Sequence, residues 1–453
     1  MRKKIIGIIC AAALIMGLSS GCATSSNNGS TEESGLQNEQ IPADTAQEDI
    51  TEAEKITIRF ATNWGPGDAK YDYFNPLFEK YAEENKEKVV IKLETLSTED
   101  YKTKIRTETA SGNLPDIFTW WGGSMITDMV DAELLLNVDD YFMMTDKTSK
   151  EDFDSSAFGY YTLPDGTYGF PLESTRPVFI ANKELFDEYG LSYPKTYEEL
   201  KAVSEVFNQN GIIPIAMASK NGTPAEFFFS ELYSQFAGAE EELVNMGTTR
   251  NFATDNALKT AEAITDMINQ RMFPEDTVAN GDWGPCLQLY CDGKAAMTYT
   301  YPWMFESMTE EAQEFSECIP VPMLDGAAND PSTFVSGFTV YGAVVSKSSF
   351  EDPAKQQALV DFIDFLTSDE LTLALTQSGM IPAKQVAYDM DDMKPIFKKM
   401  IDFCEGKKLT SVHYTTIPDL AALNMLDASL DELFIQAITP QEFLDKVQAE
   451  LDK

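Results

Sequence analysis

Apolar and polar positions alternate along Ile56-Thr57-Ile58-Arg59-Phe60-Ala61, the two-residue period of a half-buried strand. The run ends in Thr62-Asn63-Trp64-Gly65-Pro66-Gly67, where two glycines and a proline predict a turn. Over residues 73–84 the period lengthens to that of a helix, with Phe74, Leu77, Phe78 and Tyr81 on one face. Residues 89–93 read as a second strand, 101–111 as a polar helix, and 115–119 as a third strand entering Trp120-Trp121-Gly122-Gly123. Strand, helix, strand, helix, strand predicts a parallel α/β sheet. Ligands of such sheets bind beyond the carboxyl ends of the strands. Two of these three exits open into tryptophan-glycine turns.

The same reading continues downstream. Residues 166–173 and 178–186 form the next blocks, the second opening on the apolar Val178-Phe179-Ile180-Ala181, and Thr196 with Glu199 forms a capping box that starts a helix reaching about residue 208. Residues 292–297 lead into Tyr299-Thr300-Tyr301-Pro302-Trp303, and 337–346 form another apolar run. An amphipathic helix starts at Asp352-Pro353-Ala354-Lys355, and a second follows Ser368 and ends at Ser378-Gly379. No internal repeat is visible.

The amino terminus has a different character. Arg2, Lys3 and Lys4 precede an apolar run over 5–18, then Ser19-Ser20-Gly21-Cys22. That is the plan of an export signal, and the run is short of the ~20 residues of a membrane span. The segment resembles the lipobox of bacterial lipoproteins, with Ser19 where leucine is usual and Leu18 one step earlier. It implies a signal peptide over 1–21 and lipidation, as with palmitate, at Cys22; simple secretion after nearby cleavage is the other reading. From 23 to 54 the chain carries eight acidic residues and no basic one. Such a stretch cannot bury enough apolar surface to offset its ordering entropy, so 22–54 reads as a disordered acidic tether. Either way the protein works outside the cytoplasm.

Charge and composition then exclude several classes. Lysine and arginine number 34 against 74 acidic residues, a formal net charge of −40 over 453 residues. Such a surface repels phosphate backbones and anionic headgroups, which excludes nucleic acid and leaves only the anchor to touch a membrane. Beyond Cys10 and Cys22 four cysteines remain, Cys286, Cys291, Cys318 and Cys404. A small Cys286–Cys291 loop and free buried thiols both stay open. Their spacing, with His413 the only histidine, argues against a zinc site. The same lone histidine leaves little room for a nucleophilic triad. No metal or cofactor is expected.

The order Tyr168-Gly169-Phe170-Pro171, Asn182-Lys183-Glu184-Leu185-Phe186, Gly190-Leu191 with Pro194-Lys195-Thr196, Gly293-Lys294-Ala295-Ala296-Met297 and then Trp303 resembles one family. It is similar to the extracellular solute-binding proteins of ABC importers, in the carbohydrate-binding, maltose-binding-protein-like branch, from about Ile56 to Lys453. The resemblance implies an α/β, two-lobed periplasmic-binding-protein-like fold with three inter-lobe crossings and a ligand cleft between the lobes. By position, lobe 1 takes 55–170 and 323–383, and lobe 2 takes 174–319 and 388–453. The crossings fall near Pro171-Leu172-Glu173, Pro320-Val321-Pro322 and Ile381-Pro382-Ala383.

The resemblance further implies a receptor that captures a sugar or oligosaccharide by hinge closure and delivers it to permease subunits. It would be a monomer and not an enzyme. A peptide, polyamine or other cationic solute on the same fold is the alternative, and an extracellular glycoside-acting enzyme a third reading.

Trp303 matches the family position that commonly stacks on sugar, and Trp64 and Trp120 are expected in the cleft with it. Trp121 and Trp283 are open between core and cleft. Asn63 and Asp68 flank the first turn. Glu173 and Arg176 lie at the first crossing, where Arg176 serves either the ligand or a structural ion pair. Glu226, beside three phenylalanines, takes the place of a family acidic ligand contact, and His413-Tyr414 approaches the cleft from the final helices.

Overall fold

The computed structural model describes residues 55–453, apart from 155, 156, 221, 222, 280, 282, 411, 412, 415, 416 and 418. The signal peptide, Cys22 and the acidic tether therefore lie outside the described residues. Along the chain run β1 (Ile56–Thr62), α1 (Tyr71–Asn85), β2 (Val89–Thr95), α2 (Thr98–Ser111) and β3 (Ile117–Trp120). After them come β4 (Phe170–Thr175), β5 (Val178–Asn182), α3 (Tyr197–Gln209), β6 (Ile213–Ala216) and α4 (Ala225–Tyr233). The remainder includes α5 (Trp283–Cys291), β7 (Ala295–Thr300), β8 (Ser316–Ile319), β9 (Phe338–Val345), β10 (Ile381–Pro382), α6 (Pro395–Cys404) and α7 (Leu420–Phe434).

These strands build two sheets, one per lobe. The first has the order β10-β4-β9-β3-β1-β2, and the second β8-β5-β7-β6. Strands β2, β1 and β3 are parallel, as the alternation of strands and helices predicts, but β9 joins β3 antiparallel and pairs antiparallel with β4. The first sheet is mixed because β4 leaves for the second lobe and β9 returns from it.

Only Arg176 and Pro177 separate β4 in one sheet from β5 in the other, so the first crossing falls there. Pro171, Leu172 and Glu173, expected near the linker, are instead inside β4, where Pro171 and Glu173 pair with β9 on either side of a register shift. Pro171 is tolerated because the edge strand β10 covers only Glu173 and Ser174, leaving β4 without a neighbour on that side at Pro171.

Alternation along β3 divides the first lobe's core. Ile117 faces the side packed by Phe60, Phe74 and Phe362, while Phe118 and Trp120 face the side covered by Tyr101 and Ile105 of α2. The second lobe's core gathers Phe179, Phe228, Phe229, Tyr299 and residues of α7. Helix α3 starts at the expected capping box, with Thr196 and Glu199 bonded reciprocally. The four described cysteines are free thiols. Among the described residues no helix is long and apolar enough to cross a membrane.

Candidate functional site

At the carboxyl end of β7 the chain presents Tyr301, Pro302 and Trp303. The Trp303 and Tyr301 rings stack with centroids 4.3 Å apart, and Trp283 meets Trp303 edge-on at 5.9 Å. Trp283 opens α5. Phe227 on α4 adds a fourth ring, 4.8 Å from Tyr301, 5.7 Å from Trp283 and 4.4 Å from the His413 imidazole. Tyr301 and His413 are buried, whereas Phe227, Trp283 and Trp303 are only half-buried. The outcome is an aromatic wall with a buried backing and a partly open front. Helical period explains why Phe227 stands apart from its neighbours: Phe228 and Phe229 turn into the core.

Glu226 lies beside this wall, 4 % exposed, with its carboxyl hydrogen-bonded to that of Asp427 on α7. Burial pushes the Glu226 carboxyl up, and burial together with the Glu226 charge pushes Asp427 up to about 11. Two carboxyls this close cannot both ionise in a low-dielectric setting, so they share a proton near neutral pH. His413 is also neutral, its pKa lowered to about 3 by burial.

The first lobe contributes Trp121. Its ring is half-buried, edge-on to Tyr341 at 4.8 Å, with the Lys102 ammonium 5.1 Å above it. The Lys102 charge pulls down the pKa of both Glu226 and Asp427 against the effect of burial, which relates the two lobes electrostatically. Asn63 ties this side together: the Tyr341 hydroxyl donates to its Oδ1, and its Nδ2 donates to Thr98 Oγ1 at 3.2 Å, at the start of the helix that carries Lys102.

Other expected site residues lie elsewhere. Trp64 and Trp120 are each 1 % exposed. Trp64 packs on Phe74 at 5.5 Å, and Trp120 donates its indole N–H to the Met125 carbonyl at 3.0 Å. Both belong to the core of the first lobe, so the cleft expectation is corrected for them. The strand alternation points Trp120 inward with Phe118, and Trp121, one step beyond the strand, keeps an accessible face. Asp68 accepts the Lys70 backbone N–H at 2.9 Å and shapes the turn into α1. Glu173 is buried in an ion pair with Lys70 at 3.2 Å, a tie of β4 to α1 within the first lobe rather than a ligand contact.

Arg176 sits at the crossing, where Nη1 donates to Ser174 Oγ at 2.7 Å and to the Thr175 carbonyl at 2.8 Å. It has no carboxylate within ion-pair distance among the described residues, and burial pushes its pKa down. It borders a cavity of about 870 Å3 lined also by Phe153, Asp154, Gln385, Leu409 and Thr410. Gly337 lies close by, where a Cβ would fall 2.3 Å from the Leu409 side-chain tip and 3.0 Å from the Arg176 side chain. The structural ion pair expected of Arg176 is not formed among the described residues.

Sequence reasoning missed Lys102, Asp427 and Phe227. The first two carry no local signal, being one lysine and one aspartate on amphipathic helices. Phe227 was readable from helical period once α4 was placed.

The family model described as bacterial extracellular solute-binding protein matches residues 65–372. An ABC transporter extracellular-binding protein of Pyrococcus horikoshii is 22% identical over 95% of this chain and 92% of its own length. The multiple sugar-binding protein of Streptococcus mutans is 21% identical over 58% of this chain and 61% of its own length. Among solved structures, a chitin oligosaccharide binding protein superposes with a TM-score of 0.76 at 20% identity, covering 88% of this chain and 98% of that one.

Proposed function

This chain belongs to the bacterial extracellular solute-binding proteins, and from that premise we propose that it is the substrate receptor of an ABC importer for a neutral sugar or oligosaccharide. The aromatic wall of Phe227, Tyr301, Trp283 and Trp303 beside the Glu226–Asp427 pair carries the reading. Sugar rings present C–H faces that pack on indole, and their hydroxyls need fixed polar groups next to it. The names of the relatives, one a multiple sugar-binding protein and one a chitin oligosaccharide binding protein, agree with that chemistry.

The ligand sits between the walls of the two lobes, and their rotation about the crossings closes the cleft on it. Contacts from both lobes supply the differential affinity that closure needs. The closed, loaded receptor then hands its ligand to permease subunits. Cys22 carries the lipid that holds the mature chain at the membrane, with 22–54 as its tether.

The Glu226–Asp427 pair is not arranged as a glycosidase pair: glycoside hydrolysis uses two carboxyls about 5–9.5 Å apart across the scissile bond, whereas these two are hydrogen-bonded to each other. Purified mature protein is titrated with neutral mono- and oligosaccharides, peptides and polyamines, following tryptophan fluorescence and melting temperature. A saturable change with a raised melting temperature for one saccharide class is expected. A response confined to peptides or polyamines refutes the sugar assignment.

A further inference from the structure

The cavity of about 870 Å3 beside Arg176 takes one polar group from each place where the chain passes between the lobes. Arg176 is itself the first crossing, between β4 and β5. Thr410 is pinned to the second: its carbonyl accepts the N–H of Gly337, the residue before β9, at 2.8 Å, and Ser336 is its register partner. Lys399 of α6 donates to the Ser316 carbonyl of β8 at 2.8 Å, so the chain crosses a third time after β10. Asp154 is pinned there, its N–H donating to the carbonyl of Ala383, one residue past β10, at 3.0 Å.

Each group keeps hydrogen-bonding capacity that the protein does not use. Arg176 Nη1 is engaged by Ser174 and Thr175, which leaves Nε and Nη2, an edge that forks onto a carboxylate, without a hydrogen bond among the described residues. The Thr410 side chain is 9 % exposed, and its buried Oγ1 has no partner among the described residues. The Asp154 carboxylate lines the same cavity and makes no ion pair or side-chain hydrogen bond among the described residues. Of the other charged groups on the cavity, Lys150 pairs with Asp139, Glu240 pairs with Lys408 at 3.4 Å, and Glu151 is exposed. Arg176 and Asp154 are therefore two opposite charges that line one space without meeting.

We propose that this cavity is a second binding site, for a small zwitterion of the amino acid class, and that its occupancy is coupled to the hinge. A lone anion is repelled by Asp154 and a lone cation by Arg176. A molecule with one carboxylate and one ammonium answers both, the carboxylate on the guanidinium fork and the ammonium on Asp154. The Thr410 hydroxyl has a hydrogen bond left to give the same carboxylate. The volume falls within the range of small-molecule sites, about 300–1,000 Å3. No residue of the aromatic wall lines it, so the site is separate from the saccharide cleft. Because its three groups ride on three crossings, rotation of the lobes changes their spacing. Saccharide and zwitterion then alter each other's affinity by one common factor. The site stands on its own geometry, and its link to saccharide rests on the receptor reading.

The test titrates mature protein by calorimetry with glycine, β-alanine, γ-aminobutyrate and 6-aminohexanoate, and with the single-charge probes propionate and propylammonium. One amino acid of the series is expected to bind at least about tenfold more tightly than either single-charge probe. Binding by none of the four, or tighter binding of propionate, overturns the proposal. Asp154→Asn should lose about tenfold for that amino acid yet bind propionate more tightly, because a repelling charge is gone. Arg176→Met should lose as much and bind propylammonium more tightly. A merely structural role weakens all probes alike, so equal losses overturn the assignment; Asp154→Asn, nearly isosteric, keeps the test decisive if Arg176→Met fails to fold. Loss of amino acid binding in Trp303→Ala would place the molecule at the aromatic wall and overturn the second site. The titration is then repeated with the saccharide that raises the melting temperature, at saturation. A change in Kd of at least about fivefold is expected, and an unchanged Kd overturns the coupling to the hinge. Failure of every saccharide to bind overturns the receptor reading instead, and the amino acid titrations still decide the site.

Discussion

Trp303 stacks on Tyr301 with ring centroids 4.3 Å apart and planes inclined at 23°. The two residues are separated by Pro302 at the end of β7, and an extended chain puts residues two apart on the same side. Tyr301 is fully buried and backs the half-buried indole, which leaves Trp303 a rigid face with one side to offer. Rigidity matters because an ordered ring loses little further entropy on binding.

That arrangement separates Trp303 from Trp120. Trp303→Ala should weaken saccharide binding by about tenfold or more while changing stability little, since one side of the ring is unpacked. Trp120→Ala should cost about 3–5 kcal/mol of folding stability through the cavity it leaves. Titration calorimetry and denaturant unfolding on both variants check this. Equal loss of stability in the two would place Trp303 in the core after all.

The buried Lys70–Glu173 pair joins α1 to β4 next to the crossing. Removing one partner leaves a buried charge, so Lys70→Met alone is expected to destabilise by about 3–5 kcal/mol. Lys70→Met combined with Glu173→Leu should recover more than half of that loss, because neither charge then remains. Urea unfolding of the two single variants and the double variant measures the coupling; strict additivity would show that the pair does not interact.

His413 titrates in the opposite sense to Glu226 and Asp427. Its folded pKa, lowered to about 3 by burial, lies below the unfolded value near 6.5. The unfolded chain therefore binds its proton first as pH falls, and stability is lost between about pH 6.5 and 3, by up to a few kcal/mol. Glu226 and Asp427, raised by burial, work the other way: they hold protons in the fold that the unfolded chain has released, so their contribution grows as pH falls. The wild-type profile mixes both. His413→Gln isolates the histidine, and the stability difference between wild type and variant should narrow steadily from pH 7 to pH 4. A constant difference would mean that His413 does not titrate against folding.

Cys22→Ser should shift the mature protein from the membrane fraction to the medium or wash, without altering saccharide affinity. Fractionation of expressing cells decides it. Retention in the membrane fraction would move the anchor elsewhere in the chain.

What the sequence determined is what neighbours along the chain can encode. The alternation at 56–61, the helical face of Phe74 and Phe78, the capping box of Thr196 and Glu199 and the strand feeding Trp303 are local patterns, and the structure shows each of them. The order of motifs carried the family for the same reason. Only the tertiary structure decided which tryptophan faces matter. Trp120 and Trp121 are adjacent, yet one is buried against α2 and the other is only half-buried, and no local period states which side α2 takes. Glu226 meets Asp427 from a distant part of the chain. Such encounters depend on how two sheets and their helices pack, and burial then sets the protonation of the groups it brings together.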